Sequence, residues 1–129
     1  MIVTGKLSEY NRVVGPNAIQ DLQESSLVRA GDYGGSSMPG QPDWIGKRTT
    51  PYPSFGKGIP TSDNVYAQRI IEEGKTPYVI STNRPMKAST LGRHGRGSTQ
   101  FPVDESGKYM TEFPAREVKV FEFGNPYFS

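Results

Sequence analysis

Apolar residues recur at helical spacing in two stretches of the chain. Residues 17–24 carry an apolar stripe directly behind Pro16, and residues 64–73 carry a second stripe that ends before Gly74. Proline at a helix start and glycine just past a helix end are favoured, so both stretches predict helices. Residues 61–63 offer hydroxyl and carboxylate side chains that would cap the second helix.

Other stretches have the residue composition, or the alternation of polar and apolar residues, that is typical of β-strands. Residues 78–80 suit a buried strand that opens onto small polar side chains at 81–83. Residues 117–123 alternate charged with apolar side chains and predict a half-buried strand, while 27–30 and 99–103 predict shorter strands. Because strands outnumber helices and the helices come early, the sequence predicts an α+β fold with a small, mostly antiparallel sheet. The second helix is expected to pack on that sheet.

The chain has 15 glycines and 11 prolines among its 129 residues, a composition that favours long connections between these elements. Residues 31–60 show no strand or helix period and predict a long loop, and residues 84–97 predict another. The aromatic residues Trp44, Tyr52 and Phe55 favour a first loop that wraps against the domain, with a mobile tether as the alternative. The length suits a single domain spanning residues 1–129.

Composition excludes several kinds of site. The chain has no cysteine and one histidine, so disulfides, thiolate metal sites and multi-histidine metal sites are excluded, and no metal is expected. The sequence has no signal-peptide pattern and no apolar run of about 18 residues, the length that spans a membrane. We therefore expect a soluble chain that acts in the cytoplasm and does not enter a membrane.

The net charge of +2 is small, but the positive charge is concentrated locally. Residues 74–103 contain no acidic residue. Five basic residues fall within this span: Lys75, Arg84, Lys87, Arg93 and Arg96. A positive potential of this kind predicts an anionic ligand.

Polar side chains also occur at the ends of the three best strand patterns. They are Arg29, the pair Ser81 and Thr82, and Glu117. A guanidinium can hold a diphosphate, hydroxyls can orient a ligand, and a carboxylate can stabilise a developing cation. Such a set could form a site for a diphosphate-bearing ligand and a developing cation, but its spacing alone is not specific to that chemistry.

These segments resemble the three motifs of the ADP-ribosyltransferase toxin superfamily, in its cholera-toxin-like group. That family has an arginine on the first core strand, a Ser-Thr-Ser triplet ending a second strand, and Gln/Glu-x-Glu before a third. Here residues 27–32 read LVRAGD, residues 78–83 read YVISTN, and residues 115–118 read AREV. The order agrees, and a predicted helix precedes the second motif as in the family.

The resemblance implies that NAD is the substrate. It assigns Arg29 to the phosphate or ribose of NAD, Ser81 to the orientation of Glu117, and Glu117 to the oxocarbenium ion formed as nicotinamide leaves. With Ser81, the neighbouring Thr82 and Asn83 would line the NAD site.

The chain departs from the family at two positions. Asn83 replaces the last serine of the triplet, and Ala115 stands where arginine-modifying members carry Gln or Glu. Transfer to an acceptor arginine is therefore less favoured than NAD hydrolysis or transfer to another acceptor.

The basic loop supports a different hypothesis, a metal-free ribonuclease toxin domain. His94 has a side chain whose ordinary pKa lies near neutrality, and Arg93 and Arg96 flank it. Such a histidine can take the proton of a ribose 2′-hydroxyl while an arginine stabilises the phosphorane. RNA would then be the anionic ligand.

A third hypothesis is a phage virion or secretion-apparatus component rather than an enzyme. Long loops rich in glycine, proline and aromatic residues can become ordered against neighbouring subunits. Under any of these hypotheses, the chain could bind a protein partner, either an immunity protein or an assembly protein.

Overall fold

The structure, a computed structural model, describes residues 7–30, 51–89 and 99–123. These residues form two α-helices, short antiparallel strands and one 3-10 turn. In chain order the elements are β1 (Tyr10–Val14), α1 (Pro16–Ser25), β2 (Leu27–Arg29), β3 (Gly56–Lys57), α2 (Val65–Glu72), β4 (Tyr78–Thr82), β5 (Met86–Ser89), β6 (Thr99–Pro102), β7 (Glu112–Pro114), the 3-10 turn (Ala115–Glu117) and β8 (Lys119–Glu122). The predicted α+β fold is confirmed.

The strands form one four-stranded sheet and two strand pairs. The order in the larger sheet is β3-β1-β4-β8, with every neighbouring pair antiparallel. The strand pairs are β2 with β7 and β5 with β6. The strands predicted at residues 78–80 and 117–123 lie in the same sheet, since β4 pairs directly with β8.

Each face of the larger sheet is covered by a separate apolar cluster. The face against α2, here called the α2 face, buries Val13, Ala67, Ile70, Val79 and Phe121. The opposite face, here called the β7 face, packs on α1, β2 and β7 and buries Val14, Ile19, Val28, Phe55, Ile80, Phe113 and Val120. Successive residues of β4 therefore enter opposite clusters, as the period of a strand requires.

Both predicted helices are present, and local sequence explains their ends. Pro16 occupies the first turn of α1, and Ser26 ends that helix in the left-handed conformation with φ of 59°. The N-cap of α2 is Asn64, one residue past the predicted range 61–63, because its side chain accepts hydrogen bonds from the backbone N–H groups of Tyr66 and Ala67. Gly74 follows the helix with φ of 76°, as its position predicted.

The sequence-based prediction was incomplete or wrong in several places, and strands β3 and β7 were not part of it. Strand β1 had not been recognised, although it pairs with both β3 and β4. Residues 86–89, assigned to a loop, form β5 because they pair with residues 99–102. The last strand begins at Lys119 rather than at residue 117, since Ala115–Glu117 form a 3-10 turn in which the Val118 N–H donates to the Ala115 carbonyl.

The described part of the long first loop packs against the domain. Phe55 is buried and forms an isolated bridge with Gln100, and the ring of Tyr52 lies 5.5 Å from that of Phe101. This favours the wrapped loop over the tether for residues 51–60, while Trp44 lies outside the described residues. Among the residues described, no helix is long and apolar enough to cross a membrane.

Candidate functional site

Glu117 lies where the segments of the three sequence motifs adjoin. The strand before it, β7, pairs with β2, which carries Arg29, and Leu27 lies opposite Pro114. The strand after it, β8, pairs with β4, and Ser81 lies opposite Lys119. The short turn that carries Glu117 therefore joins the two strand pairs that contain the other motifs.

A hydrogen bond of the Thr82 hydroxyl connects the second motif to the third. Thr82 is buried, and its Oγ1 donates to the backbone carbonyl of Glu117 at 2.9 Å. The same Oγ1 accepts from the backbone N–H of Arg84 at 3.1 Å. One hydroxyl thus positions the backbone of both Glu117 and Arg84.

Arg84 forms an ion pair with Glu117 at the edge of the β7 face. Its Nη1 donates to Glu117 Oε1. Its Nη2 lies 2.9 Å from the sulfur of Met110, and its guanidinium carbon lies 5.2 Å from the centre of the Phe113 ring. The side chains of Arg84 and Glu117 are 17% and 31% exposed, so the pair is enclosed on the protein side and open to solvent on the other.

Ser81 lies on the opposite face of β4 from Thr82. It is completely buried on the α2 face, and its Oγ accepts the backbone N–H of Ser8 at 2.7 Å. Across the strand is Asn11, whose Nδ2 donates to the carbonyls of Ser8 and Gly58. The contacts of Ser81 thus anchor the segment that leads into β1.

Asn83 is exposed at the end of β4. Its Oδ1 accepts the backbone N–H of Glu9 at 3.1 Å. Like Ser81, it contacts the segment before β1. Of the predicted polar run at 81–83, Thr82 alone contacts the Glu117 turn through a described hydrogen bond.

Arg29 lies on the solvent side of the β2–β7 pair. Its neighbour Val28 is buried in the cluster of the β7 face, so alternation directs Arg29 away from that cluster. Its Nε and Nη2 donate to the two carboxylate oxygens of Asp21 on α1, at 3.1 and 2.6 Å. Hydrogen bonding to Arg29 lowers the pKa of Asp21 below its ordinary value. The structure therefore brings Arg84, rather than Arg29, into contact with Glu117.

The residues of the ribonuclease hypothesis, Arg93, His94 and Arg96, lie outside the described residues. That hypothesis stays a prediction. Within residues 7–30, 51–89 and 99–123, no group of three or more histidine, aspartate or glutamate side chains is placed to hold a metal ion.

Arg84 is the residue of this cluster that sequence reasoning had not placed in the site. It had been counted only as one of the basic residues between 74 and 103. A signal was present, because Arg84 follows the polar run at 81–83 directly. That signal could not identify its partner, since Glu117 is 33 residues further along the chain.

Comparison with known proteins assigns the chain to no family: no protein-family model matches it, and no curated protein or solved structure matches it significantly.

Proposed function

We propose that this chain is an NAD-consuming enzyme of the ADP-ribosyltransferase type, with NAD hydrolysis as its basic reaction. One observation carries the proposal: the Glu117 turn joins the strand pairs of the other two motifs, and Thr82 hydrogen-bonds to that turn. Short motifs found in the right order along a sequence need not meet in space. The adjacency of their segments supports a site around Thr82 and Glu117, while the side chains of Ser81 and Arg29 are directed away from it.

The proposed chemistry depends on a carboxylate that is fixed and accessible. In NAD hydrolysis the bond between ribose C1′ and the nicotinamide nitrogen breaks, and its electron pair leaves with nicotinamide. Water then adds to C1′ and loses a proton to solvent, which gives ADP-ribose. Glu117, half-buried and held by Arg84, suits the stabilisation of the oxocarbenium ion between these steps.

Ala115 argues for water over an arginine acceptor. Its backbone N–H donates to the Ser26 carbonyl at 2.9 Å, which fixes the turn against the end of α1. Its methyl side chain has no group that can accept a proton from an acceptor arginine. Hydrolysis, or transfer to another acceptor, is therefore the activity proposed.

The test is nicotinamide release from NAD by the purified chain in the presence of a chelator, followed by chromatography. Glu117→Gln should lower the rate about 100-fold or more, because the amide keeps the shape but removes the charge that stabilises the cation. Glu122→Gln is the matched control, since Glu122 is an exposed glutamate on the adjacent β8. Its rate should equal that of the wild type.

Release that persists unchanged in Glu117→Gln would refute the proposed site. If the wild-type chain releases no nicotinamide, incubation with bulk tRNA separates the remaining hypotheses. Cleavage lost in His94→Ala would favour the ribonuclease. Inactivity on both substrates would favour the phage or secretion-apparatus component.

A further inference from the structure

We propose that Arg84 is a positioning residue for Glu117, the role that the family resemblance gives to Ser81. This inference rests on the proposed function and deepens it. It concerns the residue that holds the carboxylate, not the substrate or the reaction.

The first argument is that Arg84 is held on several sides. The backbone N–H of Arg84 donates to Thr82, its guanidinium lies over the Phe113 ring, and Nη2 contacts the sulfur of Met110. The guanidinium is a rigid planar group, so stacking and hydrogen bonds fix its orientation with a smaller loss of side-chain entropy per bond than for lysine. A guanidinium so constrained can fix the group that it binds.

The second argument concerns charge. Met110 and Phe113 are neutral, and the ion pair that Arg84 makes within the described residues is the one with Glu117. Its Nε is buried and has no hydrogen-bond partner among those residues. Among the described residues, the guanidinium therefore pairs with a single carboxylate, while its other contacts are to neutral groups.

The third argument is that the contact leaves half of the carboxylate available. Nη1 of Arg84 binds Oε1 of Glu117, and no hydrogen bond to Oε2 forms among the described residues. With the side chain 31% exposed, Oε2 can face a cationic centre while Oε1 is held. This is the arrangement expected of a carboxylate that must meet a developing positive charge in a fixed geometry.

The residues that the family resemblance names make other contacts. The Oγ of Ser81 accepts from Ser8 on the α2 face, and Arg29 is engaged with Asp21 on the surface. Neither has a described contact with the Glu117 side chain. Arg84 does, and it follows β4 by only two residues.

The experiment measures kcat and KM for nicotinamide release, together with the Kd of ADP-ribose by calorimetry, for Arg84→Met and Arg84→Lys. Arg84→Met should lower kcat about tenfold or more, because a poorly oriented carboxylate stabilises the cation less well. KM and the Kd of ADP-ribose should stay within about twofold, since a positioning residue does not bind the ligand. Arg84→Lys, which keeps the charge, should recover part of kcat.

Arg116→Met is the matched control, because Arg116 is the exposed arginine next to Glu117 in sequence. Its kcat should match that of the wild type. Circular dichroism and thermal melting confirm that each variant is folded. If Arg84→Met does not fold, Arg84→Lys decides: a kcat between that of the wild type and that of Glu117→Gln supports the inference, and a kcat equal to that of either overturns it.

The possible failures are distinguishable. A folded Arg84→Met variant with normal kcat would overturn the role of Arg84 and leave the proposed function intact. A raised KM and Kd with unchanged kcat would also overturn it, since Arg84 would then be a ligand-binding residue. A wild-type chain that releases no nicotinamide would refute the proposed function, and the role of Arg84 with it.

Discussion

The two faces of the four-stranded sheet treat their polar side chains differently. On the α2 face, Asn11, Arg69 and Ser81 are almost completely enclosed, with exposures of 4%, 1% and 0%. The β7 face carries a polar cluster of Thr82, Arg84 and Glu117. The hydroxyl of Thr82 is buried, whereas the ion pair of Arg84 and Glu117 is partly open to solvent. The polar groups on the first face are therefore enclosed, while the ion pair on the second face can be reached from solvent.

The step from Ser81 to Thr82 shows why this difference matters. The two residues are adjacent, yet a strand directs them to opposite faces. A motif of consecutive residues therefore does not show which of its side chains reaches the site. If the α2 face serves only stability and the β7 face also serves activity, substitutions on the α2 face should lower stability alone. Substitutions at the polar cluster of the β7 face should lower activity.

The largest effects are expected from the two buried phenylalanines. Phe121→Ala on the α2 face and Phe113→Ala on the β7 face should each lower the free energy of unfolding by about 3–5 kcal/mol, measured by urea denaturation. Only Phe113→Ala should also lower the nicotinamide release of the folded protein, because its ring supports Arg84. An equal loss of turnover in both variants would remove the functional distinction between the faces.

The second prediction compares the two arginine ion pairs. On the α2 face Arg69 is paired with Glu73, whose side chain is 16% exposed. Glu73→Ala should lower the free energy of unfolding by about 3 kcal/mol, because it leaves a buried guanidinium without that carboxylate. Glu117→Gln should cost less than about 1 kcal/mol, since water reaches the Arg84 pair.

Urea denaturation measures both variants, with Glu72→Ala as the control for loss of an exposed charge at the end of α2. If Glu117→Gln proved as destabilising as Glu73→Ala, Glu117 would be a structural residue and a poor candidate for the site.

The third prediction uses the adjacent hydroxyls. Ser81→Ala should lower stability by about 1–2 kcal/mol, because the Ser8 N–H loses its acceptor. It should leave nicotinamide release unchanged. Thr82→Val should lower release about tenfold, because the Glu117 turn loses the hydrogen bond that fixes it. Chromatographic rates and urea midpoints together make the comparison, and the reverse pattern would support the assignment of Ser81 implied by the family.

The smallest effect concerns the surface pair of Asp21 and Arg29. The pKa of Asp21 is lowered in the folded chain by its hydrogen bond to Arg29, so the pair stabilises the fold above the unfolded pKa of about 4. That contribution disappears as pH falls through the lowered folded pKa. Asp21→Asn should therefore be slightly less stable than wild type at neutral pH, and the difference should shrink toward pH 3.

Thermal melting across this pH range tests the effect, with Glu24→Gln as a control for removing a negative charge from α1. Nicotinamide release by Asp21→Asn should match the wild-type rate, since Arg29 lies on the solvent side of the β2–β7 pair, directed away from the cluster of the β7 face. A large loss of release would support the assignment of Arg29 to NAD that the family resemblance implies.

Local sequence was enough to predict features that depend on nearby residues. The helix behind Pro16 and the stop at Gly74 were predicted, and both are present. Residues 104–108 form a turn of the same local kind. In that turn Asp104 accepts hydrogen bonds from Ser106 and from the Lys108 N–H, which lowers the pKa of Asp104. Each of these features depends on a few neighbouring residues, so a short stretch of sequence contains its cause.

Strand β1 and the Arg84–Glu117 pair depended on the tertiary structure. Strand β1 is stabilised by β3 and β4, which lie far along the chain, and β5 forms because it pairs with β6. Likewise, Arg84 meets Glu117 only because β4 pairs with β8. The sequence by itself determined the helices, the turns and the residue types available for chemistry. The pairing and register of strands decided which residues meet, because a shift of one residue in register moves every side chain to the other face.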